Sequence, residues 1–165
     1  MTRVRFFDGR LLTAGDFDAE QSYQMEKRKL HNRLLHGAGV AAGLEVSDDD
    51  SGTAIIVSPG IAIDGMGNEI IVGDTVHVDL GIRPEDECFV TIRYGETPAD
   101  PVPMIDGEVE FSRVIESFAI AIITNDPCFN ATMQEIGLAR LIRRNGHWAI
   151  DKTYARPELI SRTAL

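Results

Sequence analysis

The sequence predicts an α+β fold that is mostly β, in which an N-terminal amphipathic helix is followed by an antiparallel β-sandwich or barrel with a C-terminal hairpin. A helical spacing of apolar residues runs from Thr13 to about residue 36, and short β-rich runs separated by turn residues follow Gly43. Near the end of the chain, Asn145-Gly146 lies between two β-rich runs, which is the pattern of a two-residue hairpin turn. Many short strands with frequent turns indicate a sandwich or barrel rather than β-α-β units.

The length of the chain corresponds to one domain. Its 165 residues, 44% of them hydrophobic, can form one core and are too few for two independent cores. We therefore expect a single domain, residues 1–165, with three parts. These parts are an N-terminal segment with the helix (1–43), a β-rich body (44–155) and a C-terminal arm (156–165).

Both ends of the helix are marked in the sequence. Thr13 and Asp16 stand three residues apart and predict a capping box at the helix start. Leu12 and Phe17 occupy the two positions of a hydrophobic staple around that cap. Gly37 predicts the end of the helix. One apolar stripe contains Ala19, Tyr23, Leu30 and Leu34. This stripe must be covered, either by the protein's own sheet or by a partner.

The body is predicted as a series of short strands separated by turns rich in Gly, Pro, Asn and Asp. The predicted strands are residues 44–46, 54–57, 69–72, 76–80 and 89–94. Residues 97–107 contain three prolines and are predicted to form an irregular surface loop. Residues 112–124 are predicted as a strand and residues 125–134 as a loop.

The C-terminal hairpin has the most specific local signal. Asn and Gly readily adopt the positive φ that a two-residue turn requires at both central positions. Such a turn at Asn145-Gly146 places Arg143 opposite Trp148 and Leu141 opposite Ile150.

The composition of the chain excludes several classes of protein. With 26 acidic and 16 basic residues, the net charge is −10, so we expect no nucleic-acid partner. The longest apolar run, residues 118–123, is far shorter than the roughly 20 residues that span a bilayer, so we expect no membrane span. Because the N-terminus has no apolar signal region, we expect synthesis in the cytoplasm. Cys88 and Cys128 are predicted to be reduced core residues.

Two motifs resemble chemical sites but stand in the wrong context. Residues 37–42 match the glycine pattern of a dinucleotide-binding turn, yet a helix precedes them and a strand follows, which reverses the order that this site needs. His31 and His36 are five residues apart, whereas a spacing of four places two zinc-binding imidazoles on one helical face. His77 and His147 are isolated in predicted strands. With no known catalytic signature present, we predict no catalytic residue, no metal and no cofactor, and therefore no enzyme.

The acidic groups predict turns rather than calcium sites. Residues 48–50, and separately Asp64, Asn68 and Glu69, lack the spacing of a calcium-binding loop and lie where turns are expected. Residues 130–132 match a glycosylation sequon, which a chain without a secretion signal would not expose to the glycosylation machinery.

A set of motifs in the first half of the chain resembles a known family. Residues 5–13 (RFFDGRLLT), 30–37 (LHNRLLHG) and 43–46 (GLEV) carry the likeness, and residues 57–70 (VSPGIAIDGMGNEI) continue it more loosely. They resemble structural proteins found with phage-tail-like contractile injection systems, which are described as tail or baseplate-associated proteins.

The resemblance implies a structural role in a multi-subunit particle that assembles in the cytoplasm, at a baseplate, tail-fibre adaptor or tail-end position. It implies other tail or baseplate proteins as partners and no catalytic residues. We also expect a homo-oligomer, either a ring or a trimer, because closed symmetry is the common solution for such parts. The candidate interface residues are apolar residues of the N-terminal segment, one helix residue and two prolines: Phe6, Phe7, Leu11, Leu12, Tyr23, Pro101 and Pro103.

Two other functions stay open at the level of sequence. A carbohydrate or cell-surface binding module would use Trp148, Tyr94 and loop acids as its contact set. A small hydrolase would use His31 or His36 with a nearby acid.

Overall fold

The computed structural model describes residues 1–49, 52–127 and 134–159. The chain begins with one helix, α1 (Ala14–His31), which runs into a single π-helical turn (Asn32–His36). Ten strands follow in the described residues: β1 (Gly39–Gly43), β2 (Val46–Asp48), β3 (Ala54–Val57), β4 (Gly60–Ile63), β5 (Glu69–Val72), β6 (Val76–Asp79), β7 (Glu87–Pro103), β8 (Val109–Ile123), β9 (Glu135–Arg144) and β10 (His147–Ile150).

The strands form three antiparallel sheets, with the orders β1-β4-β5, β2-β3-β6 and β10-β9-β7-β8. The predicted class, an N-terminal helix followed by a mostly antiparallel β body, is confirmed. None of the three sheets closes into a barrel within the described residues.

One hydrophobic core receives side chains from all three sheets. Its fully buried members include Ile70 from β5, Val57 from β3, and Val90 and Leu141 from β7 and β9. Cys88 lies in this core as a free thiol, as predicted, and burial raises its pKa. Cys128 and the sequon at 130–132 lie outside the described residues.

The start of α1 follows the sequence prediction. Thr13 accepts a hydrogen bond from the Asp16 backbone N–H through its side chain, and the Asp16 carboxylate accepts the Thr13 N–H at 3.0 Å, which completes the capping box. Gly37, with φ 80°, ends the π turn, and its N–H donates to the Asn32 carbonyl at 3.0 Å. No residue of α1 itself is buried, although Tyr23 and Leu30 of the apolar stripe are half-buried.

The chain bends sharply between β1 and β2, where residues 44–46 were predicted to form a strand. Leu44 has φ 55° and its side chain is fully buried, so the predicted strand is wrong at its first two residues. The bend needs glycine beside it. A Cβ on Gly43 would lie 2.0 Å from the carbonyl oxygen of Pro59, in the turn before β4.

The prediction of an irregular loop at residues 97–107 is wrong. Residues 97–103 belong to β7 and pair with β8, and only the tip between the two strands is a turn. Pairing of β7 with β9 ends at Arg93, so the far part of β7 has a partner on one side only. Proline is tolerated in such a strand because a free edge does not need every N–H group. The strand predicted at 112–124 is confirmed as part of β8.

The end of the described chain packs on β1. The Val40 N–H donates to the Pro157 carbonyl at 2.8 Å, and the Leu159 N–H donates to the Val40 carbonyl at 2.9 Å. The Arg156 guanidinium donates to the carbonyls of Gly43 and Leu44 at 3.2 and 3.1 Å. Residues 160–165 lie outside the described residues.

The C-terminal hairpin is confirmed in its register. Arg143 lies opposite Trp148, and Leu141 lies opposite Ile150. Its turn residues Asn145 and Gly146 both have positive φ, at 52° and 84°.

Candidate assembly surfaces

The N-terminal projection, which we define as residues 1–31, exposes apolar side chains along its length. Leu11 is 84% exposed, and even the least exposed of the four predicted contact residues in the segment before the helix, Leu12, is 38% exposed. Tyr23 on α1 is half-buried. The exposed apolar residues are Met1, Phe6, Phe7, Leu11, Leu12, Phe17 and Met25. A contiguous segment of this kind is typical of a surface that binds a partner.

The N-terminal segment is folded back on the start of α1. The Arg10 guanidinium donates to the Arg5 carbonyl at 2.7 Å and also pairs with the Asp16 carboxylate. Gly9, with φ 83°, allows the turn in which the Arg10 N–H donates to the Phe7 carbonyl. The hydrogen bonds from Thr13, and then the charge of Arg10, lower the pKa of Asp16 below its ordinary value. These polar contacts hold the segment in place, while its apolar side chains remain in solvent.

The last turns of the helix attach the projection to the body through Asn32. The Asn32 side-chain amide is buried and donates to the Gly67 carbonyl and to Glu69 Oε1, both at 3.0 Å. A Cβ on Gly67 would lie 2.3 Å from the Lys29 carbonyl oxygen, so only glycine fits this contact. Arg28 adds weaker ion pairs, at 3.9 Å to Glu69 and 3.7 Å to Glu116.

The turn that receives Asn32 is built by Asp64. Its carboxylate is buried and accepts hydrogen bonds from the Met66 N–H, the Asn68 N–H and the Asn68 side-chain amide, at 2.8–2.9 Å. The predicted turn is present, and N–H donors hydrogen-bond to both oxygens of the Asp64 carboxylate. Residues 50 and 51 of the other acidic turn lie outside the described residues.

The second exposed surface is the β-arm, which we define as residues 94–118. Here β7 and β8 form a two-stranded ribbon that extends beyond the four-stranded sheet. Pro101 and Pro103 lie exposed on this arm. Its other exposed apolar residues are Val102, Met104, Ile105, Val109, Phe111, Val114 and Ile115. An isolated two-stranded ribbon is marginally stable in water, so a ribbon with apolar side chains is expected to gain stability from a partner.

The candidate residues from the sequence therefore fall on two surfaces. One ion pair, between Arg28 and Glu116, links the helix to the base of the β-arm. Within the described residues, no hydrogen bond or ion pair links residues 1–12 to the β-arm. The sequence reasoning missed Phe111, Val114 and Ile115. Val114 and Ile115 are neighbours that point to opposite faces of the ribbon, and the structure shows both exposed, which the sequence pattern does not reveal.

The histidine prediction needs a correction. His31 and His36 were expected not to share a helical face, yet their Nε2 atoms are 3.2 Å apart. The π turn is the reason, because it brings residue i+5 into the place that residue i+4 has in an α-helix. No carboxylate hydrogen-bonds either imidazole in the described part of the chain, so the acid that the hydrolase alternative requires is not in place.

The residues of the binding-module alternative do not form one surface. Trp148 packs at the hairpin, where the Arg143 guanidinium lies 4.8 Å from the centre of its ring. Tyr94 lies at the base of the β-arm, and its hydroxyl donates to Glu96 at 2.8 Å. The hairpin lies beside the start of β7, where Glu87 pairs with Ile142. Tyr94 is seven residues farther along β7 and therefore away from the hairpin.

The whole chain was compared with known proteins. No protein-family model and no curated protein matches it. A chain of the TssK-TssF-TssG baseplate subcomplex of the type VI secretion system matches with TM-score 0.63 and 15% identity, over 94% of this chain and 62% of that chain. A chain of the type VI secretion baseplate complex matches with TM-score 0.59 and 15% identity, over 95% of this chain and 42% of that chain. The crystal structure of TssK gives TM-score 0.59 and 12% identity, over 95% of this chain and 44% of that chain.

The shared feature is the fold. This protein spans less than two thirds of the length of each of these chains. Two of these structures are a baseplate subcomplex and a baseplate complex of the type VI secretion system. No helix in the described part of this protein has the length and apolar character needed to cross a bilayer.

Proposed function

We propose that this protein is a structural, non-enzymatic subunit of a contractile injection particle, acting at its baseplate. The observation that carries the proposal is the fold, which baseplate chains share across more than nine tenths of this chain. The N-terminal motifs that resemble tail and baseplate-associated proteins support the same role. In a phage-tail-like particle, a tail-fibre-adaptor position and a tail-end position are the alternatives to the baseplate.

The two exposed surfaces supply a mechanism for assembly. A monomer would leave the apolar residues of the N-terminal projection and of the β-arm in water, whereas a subunit of a particle buries them against neighbours. Each fully buried large apolar side chain contributes about 1.5–3 kcal/mol. We propose that one of the two surfaces forms a closed homo-oligomer, a ring or trimer, and that the other binds a different baseplate protein.

The first test measures the mass of the intact chain by light scattering. The chain with Phe6→Ser, Phe7→Ser and Leu11→Ser is compared with the chain that has Phe111→Ser, Val114→Ser and Ile115→Ser. Ile82→Ser is the matched control, because Ile82 is an exposed apolar residue outside both surfaces. We expect a defined oligomer that one triple variant dissociates and the control leaves intact. A folded monomer for the intact chain would refute the homo-oligomer.

The second test asks whether the protein belongs to a particle. Injection particles purified from the producing cells should contain the wild-type chain. Particles from cells that carry either triple variant should lack the chain or lack the baseplate. Complete particles formed in the absence of this protein would refute the proposed function.

A further inference from the structure

We propose that His31 and His36 form a two-histidine binding site for a divalent transition-metal ion such as Cu²⁺ or Zn²⁺. The proposal is independent of the baseplate role. It rests on the separation and direction of the two imidazoles, on the fixed π turn that carries them, and on their exposure to solvent.

The distance between the two nitrogens fits one metal ion. Imidazole nitrogens bound to a common ion at about 2.0 Å, in tetrahedral or cis square-planar positions, lie about 2.8–3.3 Å apart. The Nε2 atoms of His31 and His36 are 3.2 Å apart, while the ring centres are 5.1 Å apart. The two rings are therefore closer at their Nε2 atoms than at their centres, as two imidazoles that converge on one ion must be.

The π turn holds this geometry in place. The hydrogen bond from the Gly37 N–H to the Asn32 carbonyl, at 3.0 Å, closes the turn between the two histidines. Asn32 also anchors the turn to the body through its buried side chain. The two ligands are thus positioned before an ion arrives, which lowers the entropy lost on binding.

Both imidazoles are exposed, so an ion can reach them and complete its coordination with water or with a group from another molecule. Within the described residues, no cluster of three or more metal-ligating side chains occurs, so the two histidines are the ligands that one chain offers here. Arg28 is near but is paired with Glu69 and Glu116. Lys27 stands one helical turn before His31 and adds positive charge, so coordination rather than electrostatic attraction must supply the affinity.

The test is a calorimetric titration of the full chain, without a histidine tag, with Cu²⁺ and separately with Zn²⁺. We expect one ion per chain, bound about tenfold to a hundredfold more weakly in His31→Ala and in His36→Ala, because each variant loses the second, intramolecular ligand. His77→Ala and His147→Ala are the matched controls, since both residues are exposed on strands away from the pair. Their affinity should equal that of the wild type.

Helical content and melting temperature without metal show whether each variant is folded, and His36→Gln provides a polar substitution if the alanine variant is not. Electron paramagnetic resonance of the Cu²⁺ complex should show two coordinating imidazole nitrogens in the wild type and one in His36→Gln. Equal affinity in the wild type and in both pair variants would overturn the proposal and leave only a hydrogen bond between the two rings. Loss of binding in His77→Ala or His147→Ala would overturn it as well.

Discussion

The β body and the N-terminal projection use their apolar residues in opposite ways. In the body, Leu141 and Val90 are fully buried among side chains from three sheets. In the projection, residues of the same kind face solvent. Polar contacts at Thr13 and Asp16, and at Asn32 directly after the projection, fix the backbone instead. The difference teaches that burial specifies the fold of the body, whereas hydrogen bonds specify the projection and leave its apolar side chains available for a partner.

The largest effect should come from truncating a core residue. Leu141→Ala removes a fully buried side chain and should lower the free energy of unfolding by about 2–5 kcal/mol. Leu11→Ala, at a residue 84% exposed, should change it by no more than about 0.5 kcal/mol. Urea denaturation of the two variants measures both quantities. A large loss in Leu11→Ala would show that the N-terminal segment is part of the core after all.

Two glycine substitutions sharpen the comparison at the helix junction. Gly67 and Gly107 have nearly the same φ, 85° and 87°, but a Cβ on Gly67 meets the Lys29 carbonyl and one on Gly107 meets nothing within 4 Å. Gly107→Ala should therefore lower the free energy of unfolding only by the left-handed backbone strain, about 1–2 kcal/mol. Gly67→Ala should lower the free energy of unfolding by more than this and should also increase amide hydrogen exchange in the last turns of α1. Equal losses in the two variants would mean that the close contact with the helix is absent.

Asn32→Ala tests the polar anchor. The change leaves the Gly67 carbonyl without its side-chain donor, and we expect a loss of about 1–3 kcal/mol in unfolding free energy. Gln24→Ala is the matched control, because it removes an exposed amide that donates to Glu20 at 2.9 Å on the same helix. The control should cost less than about 0.5 kcal/mol. If Asn32→Ala lowered the unfolding free energy no more than the control, the ion pairs of Arg28, rather than Asn32, would attach the helix to the body.

The smallest effect is a pH dependence of the helix start. The pKa of Asp16 is lowered in the folded protein, so its contribution is fully present above its ordinary pKa and is lost as the pH falls through the lowered value. Acidification below about pH 4 should reduce the helical circular dichroism signal, and the wild type should lose more of it than Asp16→Asn. Identical acid curves for both chains would contradict the role of Asp16 in the cap.

Local sequence signals predicted the local structure well. The capping box at Thr13 and the register of the hairpin at Asn145-Gly146 were confirmed, because both depend on residues close together in the chain. The loop predicted at residues 97–107 was wrong, because the structure of this segment depends on residues far away in the chain. The prolines of the segment indicate a loop only if a strand needs partners on both sides, and that condition depends on where β9 ends.

The candidate surfaces were predicted in part. The apolar residues of the N-terminal segment stood out because they precede the capped helix, and the structure shows them exposed. Phe111, Val114 and Ile115 on the β-arm could not be separated from core strand residues, because alternation along a strand does not tell which face has a neighbour.

The sequence by itself determined where α1 begins, where its helical signal stops, and how the last hairpin pairs, since capping and turn geometry act over a few residues. Only the tertiary structure decided that no residue of α1 is buried, that β7 and β8 extend as an arm, and that a π turn brings His31 and His36 together. The physical reason is distance along the chain. Asn32 meets Gly67 across 35 residues, and no local pattern encodes which carbonyl a buried amide will reach.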